Sequence, residues 1–145
     1  MTKKTLKVAI TGNRNILKTD QQIIKATLEK IIENKKVTEI IFGGARGVDT
    51  FALLWCLYLK ETRPFDIFPH LKVILPSTIE DQPKDTVEVT EAADEIEELC
   101  HTIQKSDGWN AFRLRNEEMV RQCDRLVAFW DGNSKSGSFM TINIA

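Results

Sequence analysis

The chain has 145 residues, 42% of them hydrophobic and 28% charged, the balance of a one-domain globular protein with a normal core. Its net charge of −1 gives no global electrostatic case for nucleic acid, and nucleic acid is therefore an unlikely partner on charge alone. The charge is uneven: residues 1–36 carry nine Lys/Arg against three Asp/Glu, net +6, which leaves −7 for the remainder.

Cys56, Cys100 and Cys123 are odd in number and widely spaced, and His70 and His101 complete no metal-ligand spacing with them. No metal is expected, and free thiols in a reducing cytoplasm are the simplest account. No long apolar segment follows Met1-Thr2-Lys3-Lys4, so neither a secretory signal nor a membrane span is expected.

Taken in order, Thr5 to Ile10 is short and β-rich and runs into the polar loop Thr11-Gly12-Asn13-Arg14-Asn15. Thr19-Asp20 can cap a helix from Gln21 to Asn34, whose buried stripe is Ile23, Ile24, Leu28, Ile31 and Ile32. Val37 to Phe42 is a second strand, apolar at its end as a strand covered on both faces is. It stops at Gly43-Gly44-Ala45-Arg46-Gly47, and a helix follows from Val48 to Lys60. Phe51, Leu54, Trp55 and Tyr58 share a face of that helix, widened by Ala52 and Leu53, and the stripe reads as core. A connection over 62–69 leads to a third strand, Leu71 to Leu75, ending at Pro76-Ser77.

Glu88, Glu91, Asp94, Glu95, Glu97 and Glu98 form an acidic run without a base. Ala92, Ala93, Ile96, Leu99, Cys100 and Ile103 keep helical spacing, which predicts a helix from Thr90 to Lys105 with an acidic outer face. After a break at Ser106-Asp107-Gly108, a helix is expected from Asn110 to Cys123 and a fourth strand from Arg125 to Trp130. The loop Asp131 to Ser138 follows, and Phe139 onward reads as the first turn of another helix.

Strands alternating with helices predict an α/β, Rossmann-like domain, a mainly parallel sheet with helices on both faces. Ligands of such sheets bind beyond the carboxyl ends of the strands. Three of the loops at that edge are rich in glycine, hydroxyl or amide groups. Glycines admit close backbone approach, a helix start adds unpaired N–H donors, and phosphate suits both. The expected ligand-binding residues are Gly12 and Arg14, then Gly43, Gly44, Ala45, Arg46, Gly47 and Asp49, then Ser134, Ser136, Gly137 and Ser138. Asp49 is either the helix N-cap or an acceptor for a sugar hydroxyl. Arg115 either faces the ligand or pairs with Glu117 or Glu118. Asp131 either binds a sugar hydroxyl or closes its own turn.

The ordered motifs Thr-Gly-Asn-Arg (11–14), Gly-Gly-Ala-Arg-Gly-Val-Asp (43–49), Arg-Asn-Glu-Glu-Met (115–119) and Ala-Phe-Trp-Asp-Gly-Asn-Ser-Lys-Ser-Gly-Ser (128–138) resemble the SLOG superfamily. That group joins the DprA/Smf proteins with the LOG proteins, and the likeness is nearest to the small stand-alone YspA-like branch. It covers roughly residues 5–145, with 80–106 as a possible acidic helical insertion. The resemblance implies binding of a nucleotide or nucleotide-derived ligand by a sensor or carrier, with no cofactor required and with a homo-oligomer possible. One alternative is the LOG reaction, release of a base from a nucleoside monophosphate. Arg115 and Met119 match that motif, with Asn116 in place of its lysine. Gly137-Ser138 matches its Gly-Thr, yet Phe139, Met140 and Thr141 follow where a catalytic glutamate belongs. Catalysis would then fall to Arg115 with Asp131 or Asp49. The other alternative is a DprA-like accessory protein bound to DNA.

Overall fold

The computed structural model describes residues 5–63, 67–101 and 108–129. Its elements run β1 (Leu6–Gly12), α1 (Lys18–Glu33), β2 (Val37–Phe42), α2 (Val48–Thr62), β3 (His70–Leu75), a 3-10 turn (Ile79–Asp81), α3 (Lys84–Glu91), β4 (Glu95–Glu98), α4 (Gly108–Gln122) and β5 (Arg125–Phe129). The strands form one sheet in the order β4-β3-β2-β1-β5, and every pairing is parallel. The chain steps outward from β1 to β4, and α4 then carries it back to β5 on the other side of β1. The winding reverses between β1 and β5, which makes their carboxyl ends the switch point of the fold.

Alternation along the strands splits the core in two. Val8, Ile10, Ile40, Phe42, Leu71, Val73 and Leu75 point to the face covered by α1 and α2. Ala9, Ile41 and Ile74 point to the other face and meet Met119 of α4. Helices therefore lie on both faces, as the sequence predicts. On α1 the buried residues are Ile24, Leu28 and Ile32, while Ile23 is 60% exposed. Leu17 occupies the N-cap position of α1, and Asp20 sits in the first turn with Oδ2 accepting the Leu17 N–H at 3.1 Å. The helix thus starts before the Thr19-Asp20 cap expected for it.

The buried side of α2 is turned from the expected one. Val48, Ala52, Leu53, Cys56 and Leu59 face the sheet, whereas Leu54 and Tyr58 are exposed and Tyr58 stacks on Trp55. Phe51 and Trp55 of the expected stripe are half-buried against the same core, so the aliphatic side chains take the centre of the contact and the rings its margin.

The largest departure is the predicted helix over 90–105. The helix there ends at Glu91, and Glu95–Glu98 is instead the edge strand β4, paired in register with Lys72 to Leu75 of β3. Lys72 explains it. Its side chain is 11% exposed, and its Nζ lies 2.9 Å from Glu97 and 3.3 Å from Glu95. A lysine pointing from a central strand onto a sheet face needs carboxylates beside it, and an edge strand with acids at alternate positions supplies them. Ile96 packs on the opposite face. Asp94 locks the start of this strand: its Oδ2 accepts the Leu71 N–H and its Oδ1 accepts from Lys60 Nζ, each at 2.8 Å.

Replacing Asp94 by alanine is expected to lower stability by about 1–2 kcal/mol in urea unfolding at neutral pH. Lys60 and the Leu71 N–H hold the Asp94 carboxyl below its ordinary range, against the opposing effect of burial. A depressed acid stabilises the fold when ionised, so the loss caused by the substitution should shrink as pH falls through that folded-state value.

Candidate functional site

The loops after β1 and β2 meet at the carboxyl edge of the sheet, and they meet by backbone contact. The Val48 N–H donates to the Asn13 carbonyl at 3.0 Å, and the Asn13 N–H donates to the Phe129 carbonyl at 3.3 Å. A Cβ on Gly12 would overlap the Val48 side chain, and one on Gly47 would overlap the carbonyl oxygens of Asn13 and Arg14. Gly47 is the N-cap of α2 with φ +86°, a conformation few other residues adopt. These two glycines serve the joining of one loop to the other. Asp49 is therefore not the cap; it lies two residues inside the helix.

Beneath this junction lies a buried ionic group. Asp49 is 7% exposed and Arg115, from α4, is also 7% exposed. Arg115 donates through Nη1 to the Gly43 carbonyl and through Nε to Asn116 Oδ1, the latter at 2.7 Å. Asp49 Oδ2 accepts the Ala45 N–H at 3.2 Å, while its Oδ1 is buried without a hydrogen-bond partner among the described residues. Burial pushes the Asp49 carboxyl up to about 6, with Arg115, the Ala45 N–H and Arg14 pulling the other way. Burial lowers the Arg115 guanidinium, and Asp49 partly restores it. A Cβ on Gly43 would lie 2.9 Å from Asp49 Oδ2 and 3.1 Å from Arg115 Cζ, so this glycine makes room for both side chains.

The remaining expected residues are spread around the junction. Arg14 is exposed, with its guanidinium 5.8 Å from the centre of the Phe112 ring. Arg46 is exposed and pairs with Asp85 of α3 at 3.0 Å; both side chains are about 60% exposed (60% and 62%). Such a pair is worth little and gives way to a stronger anion. The carbonyl of Gly44 accepts from Gln82 Nε2 at 2.8 Å, and that of Ala45 accepts from Thr50 Oγ1 at 2.7 Å. The N–H groups of Arg46, Gly47, Asp49 and Thr50 have no partner among the described residues, as the open start of a helix leaves them. Asp131, Ser134, Ser136, Gly137 and Ser138, with the expected helix turn beyond them, lie outside the described residues.

Beside the junction, at the switch point, is a cleft of about 260 Å³. Its apolar walls come from Ile16, Ile23, Ile24, Val48 and Phe129, and its polar side chains are Asn13, Asn15 and Asp20. None of those three polar residues was expected to bind a ligand. Asn13 and Asn15 belong to the Thr-Gly-Asn-Arg-Asn loop, so a signal was present: the amides alternate with the residues singled out there. At the opposite end of the strands, Glu39, His70 and Glu95 bring ligand atoms within 4.8 Å of one another, a grouping that sequence spacing hides. Lys7 lies 3.6 Å from Glu39 and Lys72 lies 3.3 Å from Glu95, so lysines already balance its charge.

An all-parallel sheet with its winding reversed beside a glycine-rich strand-to-helix junction defines a Rossmann-like α/β protein. The chain belongs to the YspA SLOG family, whose model matches residues 11–144. The comparison with curated proteins found no match. Among solved structures it is similar to DNA processing protein A from Helicobacter pylori, described for its single-stranded DNA binding mode. The TM-score is 0.72 at 23% identity, over 98% of this chain and 61% of that one. The chain thus spans less than two thirds of that neighbour, and the likeness is one of fold. It corrects the expectation that nucleic acid is an unlikely partner. A protein of this fold is described as binding single-stranded DNA, so a net charge of −1 cannot be used to set nucleic acid aside. Among the described residues no helix is long and apolar enough to cross a membrane.

Replacing Gly47 by alanine should destabilise the fold by about 1–3 kcal/mol, measured by urea unfolding, through its positive φ and the overlap with two carbonyls. Asp49 yields a separate pH signature. Its folded-state value, about 6, lies above the ordinary 3.8, so the folded protein holds the proton more tightly than the unfolded chain. Stability attributable to this group is therefore greatest below the ordinary value and falls as pH rises toward 6, by on the order of 3 kcal/mol. The stability difference between Asp49→Asn and the parent should move in the variant's favour by that order between pH 4 and pH 7.

Proposed function

We propose that the chain binds a nucleotide or nucleotide-derived ligand at the carboxyl edge of the sheet, with its phosphate at the start of α2. The observation that carries this reading is the cleft at the switch point, walled by Val48, the first residue of a helix whose Asp49 and Thr50 N–H groups have no partner among the described residues. Arg14 and Arg46 supply positive charge from exposed positions, and Arg46 can leave Asp85 for a phosphate. Ser134, Ser136, Gly137 and Ser138 complete the proposed site from sequence alone. The buried Arg115 is engaged by Gly43 and Asn116, which fits a loop-bracing role better than one of orienting a substrate. Binding without hydrolysis is accordingly the favoured form.

Similarity to DNA processing protein A supports a second reading, in which the same edge takes a nucleotide within single-stranded DNA. One set of measurements separates the readings. Titration calorimetry with adenosine, cytidine, guanosine and uridine monophosphates should show binding, weakened about 5–10-fold by Arg14→Ala or Arg46→Ala, as loss of a charge-assisted contact costs. Fluorescence anisotropy with a labelled single-stranded oligonucleotide at low and high salt reads the second. Tight oligonucleotide binding that monophosphates fail to displace would replace the first reading by the second. Release of free base in the same incubations would establish the hydrolytic alternative.

A further inference from the structure

The cleft and the start of α2 differ in chemistry. No lysine or arginine is among the described residues that line the cleft, and one of its three polar side chains is the carboxylate of Asp20. A phosphate group carries between one and two negative charges near neutral pH and would be repelled there. The volume, about 260 Å³, is also below the roughly 300 Å³ at which pockets enclose a whole drug-sized ligand. The cleft therefore suits one uncharged portion of a nucleotide.

Its walls say which portion. Aliphatic side chains of Ile16, Ile23 and Val48 suit the flat faces of a ring, and amides and a carboxylate suit its polar edge. Ile23 is 60% exposed although it is large and apolar, as the uncovered wall of a site for a flat ring can be. Asp20 Oδ2 is engaged by the Leu17 N–H, and its Oδ1 has no partner among the described residues. A carboxylate only accepts hydrogen bonds, so it selects a ring edge that donates. Adenine, cytosine and guanine each present an exocyclic amino group. Uracil presents one N–H between two carbonyl oxygens, and those oxygens would face the negative charge.

We propose that the cleft beside Val48 is a nucleobase subsite selective for amino-bearing bases, with Asp20 as the selecting residue. This rests on the nucleotide-binding reading above and adds the base class to it. The phosphate is left to the start of α2, outside the cleft.

The test is calorimetry with adenosine, cytidine, guanosine and uridine monophosphates and with ribose 5-phosphate. The amino-bearing nucleotides should bind about 10-fold more tightly than uridine monophosphate or ribose 5-phosphate, the worth of one charge-assisted hydrogen bond. In Asp20→Asn an oxygen still caps the Leu17 N–H, and the preference over uridine monophosphate should fall to about 2-fold or less. Ile23→Ser, at an exposed position that leaves the core intact, should weaken the amino-bearing nucleotides about 5-fold or more through lost ring contact and leave ribose 5-phosphate unchanged. Uridine monophosphate or ribose 5-phosphate binding as tightly as the rest would overturn the base subsite while leaving nucleotide binding in place. No binding of any of the five compounds would overturn the nucleotide reading itself, and the subsite with it.

Discussion

The carboxyl edge of this sheet depends on one buried guanidinium. Arg115 reaches from α4, on one face, to the Gly43 carbonyl at the end of β2, and Asp49 of α2 faces it from the other side. A charge at that depth must find its partners inside the protein, because an unpaired one costs several kcal/mol. The Gly43 carbonyl and the Asn116 side chain are hydrogen-bonded to it, and the Asp49 carboxylate favours its charge electrostatically. Together they hold two helices from opposite faces to one point of the loop. Burial makes the Asp49 carboxyl resist ionisation, with one oxygen bonded to Ala45 and the other without a partner among the described residues.

The glycines of the loop take their meaning from this arrangement. Glycine-rich turns between strand and helix invite the view that each glycine clears space for a ligand. Here Gly43 clears space for Arg115 and Asp49, Gly12 for Val48, and Gly47 for the carbonyls of the preceding loop. What these glycines bring together is the start of α2, with N–H groups unpartnered among the described residues, and the cleft beside Val48. Val48 links the two, since its N–H donates to the Asn13 carbonyl at the start of α2 and its side chain walls the cleft. The first loop thus sets the position of both proposed halves of the site.

The sequence made the architecture legible wherever apolar periodicity was strong. Strands β1, β2, β3 and β5 and helices α1, α2 and α4 stand within a few residues of their expected limits. Residues 90–105 were misread because the spacing of Ala92, Ala93, Ile96 and Leu99 satisfies a helix locally, while the strand is decided by a distant partner. Lys72, a lone cation inside an apolar strand, was the available signal that acids must lie alongside. On α2 the aromatic stripe outweighed the smaller Ala52-Cys56-Leu59 stripe in bulk, yet close helix-to-sheet packing favours the smaller side chains. The chemistry of the junction was legible in residue types, though not in roles. Arg46, expected in the glycine loop as a ligand-binding residue, lies on the surface with Asp85, whereas Arg115, ambiguous in sequence, is the buried one.

This division of the arginines bears on how a family with one fold can differ in ligand. The charge that fixes the loop, Arg115, is buried and engaged by the protein itself. Arg14 and Arg46, proposed above to meet the ligand, are exposed, and their contacts among the described residues are weak, a ring at 5.8 Å and a solvated ion pair. Exposed side chains of this kind can be replaced at small cost to stability, usually within about 0.5 kcal/mol. Arg115 cannot, because it is buried and its removal leaves the Gly43 carbonyl and the Asn116 side chain without the donor they accept from. In the proposed site, ligand preference can therefore change at least cost to the fold at Arg14, Arg46 and the exposed cleft residue Ile23, whereas Ile24 and Val48 of the same cleft belong to the core.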